Sequence, residues 1–241
     1  MLLEIKDSMI NDLLQHVNDS GPIYKETVMG RFPVEPFNTA SNLIFLACII
    51  YFSILIYKSD YKHWFLRCCM PVFFIGFVGG TIYHASRSNE IWLLMDWVPI
   101  VVLCLACSFY FIFRLTVSMV QKGALILMIL GLHIIPQLLP LPQGYRTSTG
   151  YLGTAIGVLL PVFIYAYRHQ WKHFKNVVFS ILAVITAISF RTLDKKYPIE
   201  FLDMGTHWLW HTFGGIAVFF LMRYIYLDVE NSERYNTRKH S

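Results

Sequence analysis

The chain carries little charge. Asp, Glu, Lys and Arg make up 15% of its 241 residues, whereas about 25% is usual for soluble domains. Hydrophobic residues make up 56%, and the mean hydropathy is +0.50. This balance excludes an ordinary soluble domain and indicates an integral membrane protein.

Other absences narrow the range of functions that the sequence allows. The five cysteines fall inside apolar runs without the spacing of a disulfide framework, so small buried side chains are their expected role. Lys and Arg form no patch interleaved with aromatic residues, and the sequence therefore gives no sign of nucleic-acid binding. We find no internal repeat, which disfavours an inverted-repeat transporter. The sequence fixes no oligomeric state.

Seven apolar runs approach or exceed the roughly 20 helical residues that cross a bilayer. They cover residues 38–57, 64–84, 91–113, 123–141, 150–167, 176–190 and 207–227. The sixth is short, and Pro136 in the fourth is expected to kink or end that helix. Short polar connections leave no room for a second domain. The predicted fold class is an all-α membrane protein with a seven-transmembrane helix bundle.

The two ends of the chain differ from this pattern. Apolar and charged residues interleave over residues 1–20 at the spacing of an amphipathic helix rather than that of a signal peptide. We expect a short helix that lies on the membrane or over the mouth of the bundle. The predicted divisions are an N-terminal segment and loop (1–34), a transmembrane domain (35–227) and a tail (228–241).

The distribution of positive charge predicts the orientation. With seven spans the termini lie on opposite sides of the membrane, and eight Lys or Arg residues fall on the Met1 side against twelve on the Ser241 side. Because cytoplasmic loops carry an excess of Lys and Arg, we expect a cytoplasmic C-terminus and an exoplasmic or lumenal N-terminus.

Four ionisable residues lie in or at the ends of the apolar runs: His84, Asp96, His207 and His211. Such residues are costly in a bilayer and indicate a functional site. The topology puts all four at similar depth on the Met1 side, together with the polar residues that open the first run, Glu35, Asn38 and Ser41.

The spacing of the histidines favours a metal site. His207 and His211 are four residues apart and therefore share a helix face. Three imidazoles with an open position are a common catalytic zinc arrangement. Anchoring at the membrane interface is the alternative for the histidines, but Asp96 needs a cation, a metal or a proton.

Four segments resemble the signature motifs of alkaline ceramidases. They read VEPFNTASN at 34–42, GTIYHAS at 80–86, LLMDWVP at 93–99 and HWLWHTFGG at 207–215. This family belongs to a superfamily of seven-helix membrane hydrolases that includes the adiponectin receptors. The resemblance follows the order and spacing of nearly the whole chain, although identity concentrates in these motifs.

The resemblance implies an enzyme and its residues. It implies Zn²⁺ held by His84, His207 and His211, with Asp96 as the base that activates a bound water. The expected reaction is hydrolysis of the amide bond of a ceramide-like lipid, giving a sphingoid base and a fatty acid. The substrate headgroup is expected near the polar residues that open the first run, Glu35, Asn38 and Ser41.

The sequence departs from the family at two places. Gly80 stands where the family usually carries a serine, four residues before the histidine, and Thr81 is the candidate replacement for its hydroxyl. A serine at position 80 would lie on the same helix face as His84. The resemblance also implies a calcium loop, but residues 21–27 keep little of it beyond Glu26, with Glu35 following, so the sequence disfavours Ca²⁺.

Three other functions stay open at this point. Loss of the family serine is compatible with a related hydrolase that cleaves phospholipid esters. A receptor could use the same histidines for a structural zinc. A proton-coupled transporter would use Asp96 and the histidines as a relay, although a relay predicts polar residues across the depth of the bilayer rather than at one end.

Overall fold

The structure is a computed structural model that describes residues 18–140, 142–196 and 202–240. Within these ranges every regular element is helical. The predicted N-terminal amphipathic helix falls almost entirely on residues 1–17, which lie outside the described residues.

Eight helices are described, and they form seven spans. They are α1 (Pro36–Ser41), α2 (Leu43–Lys58), α3 (Trp64–Ser86), α4 (Glu90–Arg114), α5 (Met119–Leu138), α6 (Gln143–Arg168), α7 (Phe174–Lys196) and α8 (His207–His240). The helices α1 and α2 together make the first span, and all seven spans are long and apolar enough to cross a membrane. The predicted seven-helix membrane fold is confirmed.

The predicted runs differ from the helices mainly at their ends. The sixth run was short, but its span covers Phe174–Asp194, because the helix continues through polar residues that hydropathy alone leaves out. The helix of the fourth run, α5, ends at Leu138, two residues after Pro136. The last helix continues to His240, through the segment that the sequence separated as a tail.

The helices pack around a closed circuit. Neighbours in contact are α2 with α3, α3 with α4, α4 with α6, α6 with α7, and α7 with α8, and α8 returns to α1 and α2. The helix α5 packs beside the circuit against α4 and α6. Closure between the first and last spans brings the start of α8 next to α1.

The two ends of the bundle have different interiors. We call the end at which α1 and α8 begin the proximal end and the other the distal end. Buried aromatic residues fill the distal half, among them Phe52, Phe111, Tyr165 and Tyr224. The proximal half instead encloses charged and polar side chains, and the candidate site lies there.

Candidate metal centre

Three histidines meet at the proximal end of the bundle. His84 lies in the last turn of α3, His207 is the first residue of α8, and His211 follows one turn later. Their exposed fractions are 0%, 3% and 4%. One ring nitrogen of each lies within 4.8 Å of the others, an arrangement that can hold a metal ion. The structure thus brings together the three residues that the sequence singled out.

Glu35 fixes the ring of His84. It immediately precedes α1, and its Oε2 accepts a hydrogen bond from Nδ1 of His84 at 2.5 Å. The other ring nitrogen of His84, Nε2, is buried without a hydrogen-bond partner. A carboxylate bound to the second nitrogen is the usual support of a metal-binding histidine. The donor set and the orphaned nitrogen therefore fit a metal ion.

His211 is supported from the first span. Ser41 donates its hydroxyl hydrogen to the carbonyl of Asn38 at 2.8 Å, so its oxygen is left to accept from Nδ1 of His211 at 2.9 Å. That nitrogen also lies 3.3 Å from the carbonyl oxygen of Asn38. The sequence assigned Glu35, Asn38 and Ser41 to the substrate headgroup; in the structure they contact one another and the imidazoles.

His207 lies between an aromatic ring and an arginine. The ring of Tyr24, from the loop before α1, stacks on it with centroids 3.9 Å apart. On its edge, Nδ1 lies 2.9 Å from Nη1 of Arg191, near the end of α7. Arg191 also lies over the Tyr24 ring, 5.2 Å from its centroid. These contacts fix the plane of the imidazole.

Asp96 of α4 lies against Gly80 of α3, where there is no side chain. A β-carbon built on Gly80 would collide with Oδ1 of Asp96 and would lie 3.0 Å from Oδ1 of Asn42. The carboxylate interacts electrostatically with His84 and Arg191. No hydrogen bond within the described residues ends on it. Asp96 thus packs against α3 one turn before His84, and its oxygens are uncommitted within the described residues.

Thr81 turns its hydroxyl to its own helix. The oxygen donates to the carbonyl of Phe77 at 2.7 Å. This is the common hydrogen bond of a threonine one turn after its acceptor in a helix. The hydroxyl that the sequence offered as a replacement for the family serine is therefore occupied.

Arg87 fills the space where calcium would be expected. It ends α3 in the left-handed conformation, with φ of 48°, and it is fully buried. Its nitrogens donate to Asp19, at 2.6 and 2.9 Å, and to Glu35, at 2.6 Å. They also donate to the carbonyls of Gly21 and Pro22. A guanidinium ion thus occupies the centre of these oxygens, and the residues do not fit Ca²⁺.

The charge of Glu35 is stabilised on several sides. Burial opposes the charged form, but the hydrogen bond from His84 and the positive charge of Arg87 outweigh it, and Thr27 donates a further hydrogen bond at 2.6 Å. The pKa of Glu35 consequently lies below its usual value. Glu35 therefore bridges Arg87 and His84, with one carboxylate oxygen on each.

Glu26 holds the start of α1. Its two oxygens accept hydrogen bonds from the backbone N–H groups of Phe37 and Asn38, at 2.9 and 2.7 Å. Burial raises the pKa of this carboxyl above its usual value, although these bonds act in the opposite direction. The residue therefore positions the helix that carries Asn38 and Ser41.

Sequence reasoning missed two arginines in this site. Arg87 and Arg191 were counted only as charges that orient the protein in the membrane, because both lie just outside the predicted apolar runs. A signal was present for Arg191, which follows the sixth run by one residue, where an Arg can turn inward as well as outward. The contact of Arg87 with Asp19 comes from loop folding, and that of Arg191 with His207 from the packing of α7 against α8. Periodicity describes neither.

No protein-family model matches the chain, and no curated protein matches it.

Proposed function

We propose that the chain is a zinc-dependent hydrolase that works within the membrane and cleaves the amide bond of ceramide-like lipids, giving a sphingoid base and a fatty acid. The observation that carries the proposal is the buried set of His84, His207 and His211, with one nitrogen of each within 4.8 Å. Three histidines with an open fourth position are typical of catalytic rather than structural zinc. The ceramidase-like motifs supply the substrate class.

The metal would be held by the three histidines. When bound, zinc lowers the pKa of a bound water towards 7 and polarises a carbonyl group. Glu35 and Ser41 hold the rings of His84 and His211 by their Nδ1 atoms, which keeps each Nε2 turned to the shared centre. These contacts support a rigid site.

Asp96 is the residue that we assign to proton transfer. An uncommitted carboxylate beside the histidines can take a proton from water and deliver it to the leaving amine. Gly80 permits this position, since any side chain there would displace the carboxylate. The family serine would supply a hydroxyl at position 80, whereas Gly80 makes room for the proposed base.

An apolar groove of about 400 Å³ provides a place for the acyl chain. It runs between α2 and α8 and is lined by Ile44, Ala47, Cys48, Tyr51, Gly215, Ile216, Phe219 and Phe220. Gly215 lies one turn beyond His211, and Ile44 lies three residues beyond Ser41, which binds His211. We therefore assign the groove to the fatty-acyl chain, with the scissile carbonyl at its proximal end.

We further propose that the site faces the exoplasmic or lumenal side. The excess of Lys and Arg on the Ser241 side favours a cytoplasmic C-terminus. The metal centre lies at the other end of the bundle, so the headgroup of the substrate would enter from the leaflet on the Met1 side.

The function is tested by a lipid panel with two variants. Purified protein is assayed on ceramide, phospholipids and lysophospholipids, together with Asp96→Asn and the control Asp203→Asn, an exposed acid at the same end. We expect ceramide cleavage that falls about 10²–10⁴-fold in Asp96→Asn with unchanged metal content, and no change in Asp203→Asn. Cleavage of phospholipid esters alone would replace the proposed amide hydrolysis with the related ester hydrolysis. Intact turnover in Asp96→Asn would contradict the role of Asp96 as the base.

A further inference from the structure

Arg191 and Arg87 are both buried at the metal centre, but their surroundings differ. Arg87 donates to five acceptors and forms ion pairs with Asp19 and Glu35. Arg191 is 5% exposed, yet its Nε has no hydrogen-bond partner. The first guanidinium is saturated and structural, whereas the second has donor capacity left over.

No carboxylate of the described residues forms an ion pair with Arg191 within 4 Å. The acid one turn further along α7, Asp194, accepts instead from the backbone and hydroxyl of Thr206, at 2.7 and 3.3 Å. Arg191 contacts the Tyr24 ring, the side chain of Tyr151 and the ring of His207. It also interacts electrostatically with Asp96 and Asp194, but neither carboxylate binds it directly. A buried guanidinium stays charged, and it is costly without an anion in direct contact.

The contact of Arg191 with His207 also indicates that an acceptor is needed. A guanidinium only donates hydrogen bonds. A histidine that binds a metal through Nε2 carries its hydrogen on Nδ1 and donates it to an acceptor. Nη1 of Arg191 lies 2.9 Å from Nδ1 of His207, so a metal on Nε2 of His207 would turn this contact into one between two donors. An acceptor oxygen at this place would satisfy both.

The position of Arg191 identifies which part of a substrate it would meet. Along α8, Tyr24 and Arg191 contact His207 at the first residue, His211 follows one turn deeper, and Gly215 of the groove lies after another turn. With the acyl chain in the groove and the carbonyl at the histidines, the amine part of the lipid lies towards Arg191.

We propose that Arg191 binds an acidic group on the amine part of the substrate, so that the preferred substrates are acyl amides with a carboxylate or phosphate close to the scissile bond. This inference rests on the proposed amide hydrolysis and narrows its substrate class. A planar guanidinium suits either acid, because it binds both through two parallel hydrogen bonds.

The test uses amides that differ in one group. N-palmitoylglycine carries a carboxylate where N-palmitoylethanolamine carries a hydroxymethyl group, and the O-phosphate of the latter supplies a phosphate. We expect the wild-type kcat/KM to favour at least one acidic amide by roughly tenfold or more, as for a hydrogen bond to a charged group. The two acidic probes show which acid is preferred.

The preference should depend on Arg191 itself. In Arg191→Gln the ratio of acidic to neutral kcat/KM should fall to about one, and Arg191→Lys should keep part of it because it keeps the charge. The control is Arg114→Gln at the distal end, where Arg114 pairs with Asp228 at 3.1 Å; it should keep the wild-type ratio. Equal cleavage of acidic and neutral amides by wild type, or an unchanged ratio in Arg191→Gln, would overturn the proposal.

A binding measurement separates this inference from the proposed function. Quenching of tryptophan fluorescence reports binding of the same amides to protein stripped of metal, since Trp208 and Trp210 flank the histidines. If no amide is cleaved, the hydrolase proposal fails, and binding alone decides the role of Arg191. Tighter binding of an acidic amide that is lost in Arg191→Gln would support it, and equal binding by both proteins would refute it.

Discussion

Nη1 of Arg87 lies 2.6 Å from Oε1 of Glu35, whose other oxygen binds Nδ1 of His84. A buried cation, a buried anion and a histidine of the metal centre thus form one continuous chain of contacts. Asp19 binds the far side of the guanidinium and ties the loop before α1 to the end of α3. The positions of the residues around the histidines therefore depend on Arg87, a cation that the protein supplies from its own chain.

This arrangement predicts independence from calcium. Adding or chelating Ca²⁺ should leave the thermal stability and activity of the wild-type protein unchanged, because Arg87 already balances Asp19 and Glu35. In Arg87→Ser the two carboxylates lose their buried partner, which costs about 3–5 kcal/mol of stability. Millimolar Ca²⁺ should recover part of this loss in the variant alone, as measured by thermal unfolding. Calcium stabilisation of the wild type would contradict the role given to Arg87.

The close contact of Gly80 with Asp96 predicts that a side chain at position 80 lowers activity. A serine there would put a hydroxyl on the same helix face as His84, but its β-carbon would collide with Oδ1 of Asp96. Gly80→Ser and Gly80→Ala should both lower lipid hydrolysis, by up to about a hundredfold, because a small displacement of a reacting group is costly. Gly123→Ala, where nothing lies within 4 Å, is the matched control. Higher activity in Gly80→Ser would restore the hydroxyl hypothesis.

The proposed role of the groove predicts dependence on acyl-chain length. Ala47→Trp would fill the groove between α2 and α8, so turnover of substrates with long acyl chains should fall more than turnover of short ones. The measurement is the ratio of kcat/KM for 16-carbon over 6-carbon acyl amides. We expect this ratio to be on the order of tenfold lower in the variant, because the long chain is too large for the narrowed pocket. Leu127→Trp, on the outer face of α5, should leave the ratio as it is in the wild type.

The predicted orientation can be tested with reporters. A reporter fused after Ser241 should be active on the cytoplasmic side, and an epitope placed before Met1 should be accessible from the other side, because of the Lys and Arg bias. Reversing the charges of the loop at Lys58 and Lys62 should weaken this orientation. A C-terminal reporter found outside would move the metal centre to the cytoplasmic leaflet.

The sequence predicted the spans and the three histidines for the same reason. Hydropathy over about 20 residues and the four-residue spacing of His207 and His211 are local patterns, and alternating helix direction sets the depth of His84. The positions of Tyr24 and Arg87 depend on how loops fold across helix ends, and the contact of Arg191 with His207 depends on how α7 packs against α8. The contact of Asp96 with Gly80 depends on the closeness of α3 and α4. None of these contacts is encoded in a periodic sequence pattern.

Metal analysis of the purified protein tests the central claim most directly. We predict about one zinc ion per chain in the wild type, as expected for a three-histidine site, and its loss in a His207→Ala/His211→Ala double variant. The variant His63→Ala, which changes a buried histidine at the distal end, should keep the metal. Equal zinc in the wild type and the double variant would contradict the account, since the metal would then be held elsewhere.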